Sequence, residues 1–304
     1  MSERLKKFGP YLIFLAAMLW ASDAPFRVYL TENLSSNFIV FVEHLISFVI
    51  LLPLLFVSFK EFKGLNWKYW LAILFIGVGG SALALVAFTQ SFSYMNPSVV
   101  ILLQKLQPLI AIALAVALLK ETLGKRFWLW TIIALGGAYL ISFPDFVPRL
   151  FEGEVFNPHI IGVSLALLAA VLWAASTVLG RYVLDKISFK AMTSVRFLVA
   201  TLFLLIWNAS SGALSTFSQL AGKDWLFLAI ISVTSGAVAM FIYYKGLSHS
   251  KASIATIAEL GFPVAAVAVN YIFLDASLSL VQGIGIAVLL YAIFQLGKVN
   301  AQGV

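Results

Sequence analysis

The sequence predicts an all-α membrane protein of ten transmembrane helices, arranged as two inverted five-helix repeats with both termini on the cytoplasmic side. Three observations predict it. First, 62% of the residues are hydrophobic and 11% are charged. A soluble domain carries roughly 25% charged residues, so this chain has too little polar surface to cover itself in water. Second, the stretch Leu15-Ala16-Ala17-Met18-Leu19-Trp20-Ala21 returns as Leu168-Ala169-Ala170-Val171-Leu172-Trp173-Ala174. An Arg-x-x-Leu follows each copy (Arg27 to Leu30, Arg181 to Leu184), and further on Trp70 aligns with Trp225 and Pro108 with Pro263. Third, the basic residues gather in alternate connections, as described below.

A helix needs about 20 apolar residues to span the bilayer core, and runs of that size follow one another along the chain. The first, 11–30, starts after Arg4, Lys6 and Lys7, which imitate a signal peptide. It is too long for one, and no small-residue cleavage site follows, so a retained first span is expected. The second run covers 38–59. The third, 70–93, opens on Trp70 and holds Gly77-x-Gly79-Gly80-Ser81, small residues that let helices approach closely. The fourth, 97–119, follows a tight Asn96-Pro97 junction and ends at Lys120-Glu121; the fifth, 127–143, is short.

The polar break from Pro144 to Pro158 separates the halves. Residues 1–143 form the first repeat, 144–159 an outer linker and 160–304 the second repeat. Its spans are expected at 160–181, 191–208, 225–248, 252–274 and 278–297, with a tight turn near Lys251 and a second small-residue patch at Gly283-x-Gly285.

Five spans per half is an odd number, so the second half must enter the membrane from the opposite face. With the N-terminus inside, the inner segments hold Arg4, Lys6, Lys7, Lys60, Lys63, Lys68, Lys120, Lys125, Arg126, Lys186, Lys190, Lys251 and Lys298, and the outer loops only Arg149 and Lys223. That bias is the positive-inside rule, and it accounts for the net charge of +7 without a nucleic-acid partner. Two related halves in opposite orientation are the pattern of a secondary transporter, whose substrate site lies between the repeats and is exposed to either side by rocking.

The paired Leu-Ala-Ala-x-Leu-Trp-Ala openings carry a resemblance. So does the run from Ser98 through Leu102-Leu103-Gln104-Lys105-Leu106-Gln107-Pro108 to Lys120-Glu121, with its counterpart from Ser253 to Glu259-Leu260-Gly261-Phe262-Pro263. On these residues the chain resembles the drug/metabolite transporter superfamily, in its EamA-type ten-helix branch, over nearly its whole length. The resemblance implies solute transport without ATP in the inner or plasma membrane, often export of amino acids or other small metabolites. The chain departs from the family pattern where Glu43 stands in place of the usual Arg of the second span, and where the acidic residue ending the ninth span, Asp275, is one place off.

Ionisable side chains inside spans cost about 2.5 to 3.5 kcal/mol each on insertion scales and tend to face a cavity or a partner. Here they are Asp23, Arg27, Glu43, His44, Lys105, Arg196 and Glu259, with Arg181 and Lys245 near helix ends. The repeat aligns Glu43 with Arg196 and Gln104 with Glu259, which suggests an ion pair Glu43–Lys105 mirrored by Arg196–Glu259. Such pairs are either gates along the substrate route or fixed bridges between helices. Asp23 and Arg27 sit one helical turn apart, with Pro25 between them to kink or break the helix. Asp23 aligns with Ser176, so it either serves a particular substrate or proton or neutralises Arg27. His44 is a proton-coupling candidate or a hydrogen-bonded core histidine.

Gln90, Gln104, Gln107, Tyr243, Tyr244 and Thr256 are candidate neutral hydrogen-bonding groups, and Trp20, Trp173, Tyr94 and Phe262 a candidate apolar wall. Trp67, Trp70, Trp128, Trp130 and Trp225 lie near span ends, where interfacial aromatics collect. The expected substrate path or gate comprises Asp23, Arg27, Glu43, His44, Lys105, Gln104, Gln107, Arg196, Glu259, Trp20, Trp173 and Tyr244. No catalytic residue, metal site or cofactor is expected: the three histidines are scattered and there is no cysteine. The expected partners are a small-molecule substrate and the lipid bilayer, with the protein a monomer or homodimer. Other readings are movement of a nucleotide-like or cofactor anion, an intramembrane enzyme, and a channel or scaffold.

Overall fold

In the structure, a computed structural model, residues 3–95, 97–143, 145–146, 160–273 and 278–302 are described, and among them there are helices and no strands. Among the described residues, eight helical stretches are long and apolar enough to cross a membrane: Leu5–Thr31, Ser36–Gly64, Trp67–Ser91, Leu102–Leu119, Ile160–Val183, Phe189–Ser210, Gly222–Leu247 and Leu280–Gln302. The fifth expected span is α8, Lys125–Ser142, whose start carries Lys125 and Arg126. The ninth contains the shorter apolar helix Ala252–Ala268. The expected linker (apart from Asp145 and Phe146), Asn96, the side chain of Ser98, Arg149 and Asp275 lie outside the described residues.

Polarity is inverted relative to a soluble domain. Large apolar side chains face outward, with Phe56 70%, Ile132 66% and Ile206 70% exposed, while Arg27, Glu43 and Arg196 are 1%, 3% and 8% exposed. An outer surface of that kind suits lipid, and charges inside it suit a cavity.

Several spans are interrupted. The first divides into α1 (Glu3–Ala21) and α2 (Ala24–Thr31) at Ser22–Asp23, with Pro25 in the opening turn of α2, where its missing N–H costs nothing. The second is α3, Ser36–Ser58. The third starts at α4 (Trp67–Leu74), capped by the Asn66 side chain on the Lys68 and Tyr69 N–H groups. It widens into a π-helical segment, Phe75–Leu83, and continues as α5 (Ala84–Ser91).

The fourth span is cut between α6 (Pro97–Gln104) and α7 (Gln107–Leu119). After α9 (Ile160–Val183) and α10 (Phe189–Ser210), the eighth span repeats the third: α11 (Gly222–Ile231), a π-helical segment Ser232–Val238, and α12 (Ala239–Leu247). The ninth repeats the fourth: α13 (Ala252–Ala258), a 3-10 turn Glu259–Gly261, and α14 (Phe262–Phe273). The last helix, α15 (Leu280–Gln302), packs along α8. That contact is close because Gly137 meets Gly285: a Cβ on Gly137 would stand 2.9 Å from the Gly285 carbonyl oxygen.

The π-helical segments are held from the opposite half of the chain. Arg196 on α10 donates through Nη2 to the Gly80 carbonyl of the first segment (3.3 Å) and through Nε to Ser81 Oγ. Ser47 on α3 donates to the Ser232 carbonyl of the second (2.9 Å).

Two carboxylates also cap helix starts across the halves. Glu61 accepts from the Ser188 N–H (2.6 Å) and hydroxyl (2.9 Å) at the start of α10. Lys120 ends α7 in the left-handed conformation, φ 55°, and the carboxylate of the next residue, Glu121, accepts from the Ala252 (2.7 Å) and Ser253 (3.1 Å) N–H groups of α13. A helix cap contributes about 0.5–2 kcal/mol. Glu121→Ala is therefore expected to lower the thermal midpoint of the detergent-purified protein by a few degrees, with Glu121→Gln in between. An unchanged midpoint would show that the cap carries no stability.

Candidate functional site

The interrupted spans surround one cavity, with about 1240 Å³ of empty space when the part continuous with solvent is counted. The first half supplies Trp20, Asp23 and Arg27 from the first span, Glu43 and His44 from α3, and Gly80, Ser81, Leu85 and Phe88 from the third span. Its fourth span adds Gln104, Lys105, Gln107 and Pro108 at the break. From the second half come Trp173, Ser176 and Thr177 on α9, Arg196 and Phe197 on α10, and Ser235, Gly236, Met240 and Tyr243 on the eighth span. Glu259, Leu260, Phe262 and Pro263 complete the wall at the break of the ninth. Neither α8 nor α15 reaches it.

Four polar clusters line this space. At the first, Arg27 Nη2 pairs with Asp23 (2.8 Å) and Glu43 (3.0 Å), Nη1 donates to Thr89 (3.2 Å), and Asp23 also accepts from Ser235 (3.1 Å) across the halves. At the second, Arg196 donates to Tyr244 (3.0 Å) besides Gly80 and Ser81, with its guanidinium 5.7 Å from the Tyr244 ring. At the third, the Glu259 carboxylate accepts from Gln107 Nε2 (2.6 Å), Tyr243 (2.9 Å) and Thr177 (3.4 Å). At the fourth, Lys105 donates to Ser142 on α8 (2.6 Å).

The apolar remainder is aromatic. Trp20 rests on Tyr243 (ring centroids 5.1 Å apart) and Phe88 on Trp173 (5.1 Å). His44 holds the Val40 carbonyl through Nδ1 (2.8 Å) and lies against Phe197, the arrangement of a hydrogen-bonded core histidine.

Eleven of the twelve expected residues thus line one cavity; Tyr244 stands behind it and acts through Arg196. The expected ion pairs are corrected. Glu43 does not pair with Lys105: the restart of the helix at Pro25 brings Arg27 to Glu43, and the break after Gln104 sends the Lys105 amine to α8. Arg196 does not pair with Glu259 either. Its donors are taken by Ser81, the Gly80 carbonyl and Tyr244, and Glu259 is held by neutral groups. Asp23 does pair with Arg27.

Gln90, Tyr94 and Thr256 do not line the cavity; Gln90 accepts from Ser36 instead (3.0 Å). Thr177, Ser235 and Thr89 were not legible as site residues. Hydroxyls are scattered through these spans, and only the alignment of Ser176 with Asp23 pointed near Thr177. Among the described residues, no cluster of three or more His, Asp and Glu is placed to hold a metal ion.

This combination, apolar walls with a few placed polar groups, orients a small molecule by hydrogen bonds and packing. The comparisons with known proteins agree in class. The model of the EamA-like transporter family matches residues 7–143 and, again, 160–297. The riboflavin transporter ImpX of Fusobacterium nucleatum is 33% identical over 300 residues, which span 96% of this chain and 98% of that protein. The uncharacterized transporter YetK of Bacillus subtilis is 24% identical over 291 residues, 95% of this chain and 87% of its own. A crystal structure at 14% identity superposes with a TM-score of 0.72 over 97% of both chains, a likeness of fold alone. With both halves matched by the family model and a multi-pass helical architecture around a shared cavity, the chain belongs to the EamA-like transporter family.

Proposed function

We propose that this protein is a secondary transporter of flat heteroaromatic metabolites, with riboflavin as the leading substrate. The observation that carries the reading is the likeness to a riboflavin transporter over nearly the full length of both chains. The cavity chemistry supports it: Trp20, Trp173, Phe88 and Phe262 offer faces for a fused ring, and Gln104, Gln107 and Ser81 offer hydrogen bonds to ring carbonyls and a polyol chain. Transport runs by alternating access between two inverted five-helix repeats, ten spans in all, with both termini cytoplasmic, in the inner or plasma membrane. The doubled family match and the positive-inside charge bias support that architecture.

A second reading, export of amino acids, draws support from charges of both signs in the cavity wall, Glu259 with Lys105 and Arg196, which suit a zwitterion. Counterflow in proteoliposomes separates the two. Liposomes preloaded with unlabelled riboflavin are expected to accumulate labelled riboflavin, whereas those preloaded with amino acids are not expected to accumulate labelled amino acid. The reverse result would replace the first reading by the second. Stacking is worth about 0.5–1.5 kcal/mol for an aromatic pair, so Trp173→Ala is expected to weaken riboflavin binding roughly two- to tenfold. Titration calorimetry reads this, and unchanged affinity would remove Trp173 from the site.

A further inference from the structure

We propose that Glu259 is a proton-binding site that couples proton movement to transport. The three carboxylates of the cavity are placed differently. Asp23 and Glu43 share the buried guanidinium of Arg27, so a proton on either removes half of an ion-pair network. Glu259 lies in the cavity wall, at the 3-10 turn that interrupts the ninth span, and makes no salt bridge among the described residues. It is held by Gln107, Tyr243 and Thr177, all neutral.

Protonating Glu259 therefore breaks no ion pair. Its neighbours also suit both states, because a hydroxyl can donate or accept. Tyr243 and Thr177 also stand 2.8 Å apart, and with one hydrogen each, one of them can donate to Glu259 while the other donates to its neighbour. When the carboxyl carries a proton, one of these hydroxyls turns to accept it, while Gln107 continues to donate to the other oxygen.

The position gives such a proton mechanical consequence. Gln107 belongs to the break in the fourth span and Glu259 to the matching break in the ninth. Their 2.6 Å bond joins the two halves across the cavity. A charged acceptor makes that bond about twice as strong as a neutral one, so each proton bound or released changes the grip of one half on the other. Among the charged and titratable groups, Tyr243 faces it from α12, and Asp23, Arg27, Glu43, His44, Lys105 and Arg196 line the same cavity. The first helix brings Phe14 to this turn, and α8 packs on it, with Ala134, Ala138 and Ile141 in the same apolar cluster as Leu260.

The proton site can be tested without substrate; its coupling role rests on the transport reading above. Infrared difference spectra of the purified protein are recorded as the pH is raised. A carboxyl C=O stretch that fades is expected in the wild type and in Glu43→Gln, and is expected to be missing in Glu259→Gln. In proteoliposomes, riboflavin flux is expected to vary with internal and external pH in the wild type. Whatever flux remains in Glu259→Gln is expected to be independent of pH. A fading band that survives Glu259→Gln unchanged, or a variant whose flux keeps the wild-type pH profile, would overturn the proposal. If the band behaves as expected but no riboflavin moves, the substrate reading fails and the proton site stands.

Discussion

Arg27→Met is expected to be the most damaging single substitution in the molecule. The guanidinium is 1% exposed and stands between Asp23 and Glu43. Removing it leaves two carboxylates side by side without a counter-charge in the cavity wall. Breaking a buried pair from one side costs about 3–5 kcal/mol, a large share of the roughly 5–15 kcal/mol that holds a typical protein folded. The expected result is a large fall in thermal midpoint and in recoverable protein, with loss of transport.

The triple variant Asp23→Asn, Glu43→Gln, Arg27→Met is expected to regain much of the midpoint, since exchanging an entire buried network for neutral groups is often nearly neutral in energy. It is not expected to regain transport. A single variant as stable as the wild type would mean that the two carboxylates find another counter-ion.

The second large effect lies at Gly80. A Cβ there would overlap the Ser176 side chain on α9, so the π-helical segment sits against α9 only because the residue is glycine. Gly80→Ala must push the third span away from α9 or distort the segment whose carbonyl holds Arg196. Overpacking of this kind costs about 1–3 kcal/mol, and here the displacement falls on the cavity wall. Transport measured by counterflow is expected to drop by an order of magnitude or more. Moving the space across the contact, with Ser176→Gly added to Gly80→Ala, is expected to restore most of it. If the second substitution restores nothing, the loss comes from the backbone of the π-helical segment, not from crowding.

Span positions were legible because an apolar run of helical length is a one-dimensional property, and the repeat was legible because it is written in residue identities. The kink at Pro25 was legible for the same reason. The breaks in the fourth and ninth spans are not legible in the same way, although Pro108 and Pro263 stand close to both. Polar residues do interrupt both apolar runs there, Gln104, Lys105 and Gln107 in the fourth and Glu259 in the ninth, but a polar residue inside a span points to a cavity or a partner without saying that the helix is cut. Which residues gather at the cavity could be inferred from charge inside spans. Which of them touch could not, because pairing depends on where a helix stops. Arg27 reaches Glu43 after the first helix restarts, and Lys105 turns to Ser142 where the fourth is cut.

The two cut spans have a geometric consequence. A continuous helix is a single stiff rod, whereas one whose hydrogen-bond ladder is interrupted bends at the interruption. Because the fourth and ninth spans are cut at matching places, the molecule is divided into tiers as well as halves. The rod before one cut, α13, is pinned at its start by Glu121, and a three-residue turn connects it to α14, which packs on the first helix and α8. Two storeys joined in this way can change their mutual angle without either helix unwinding.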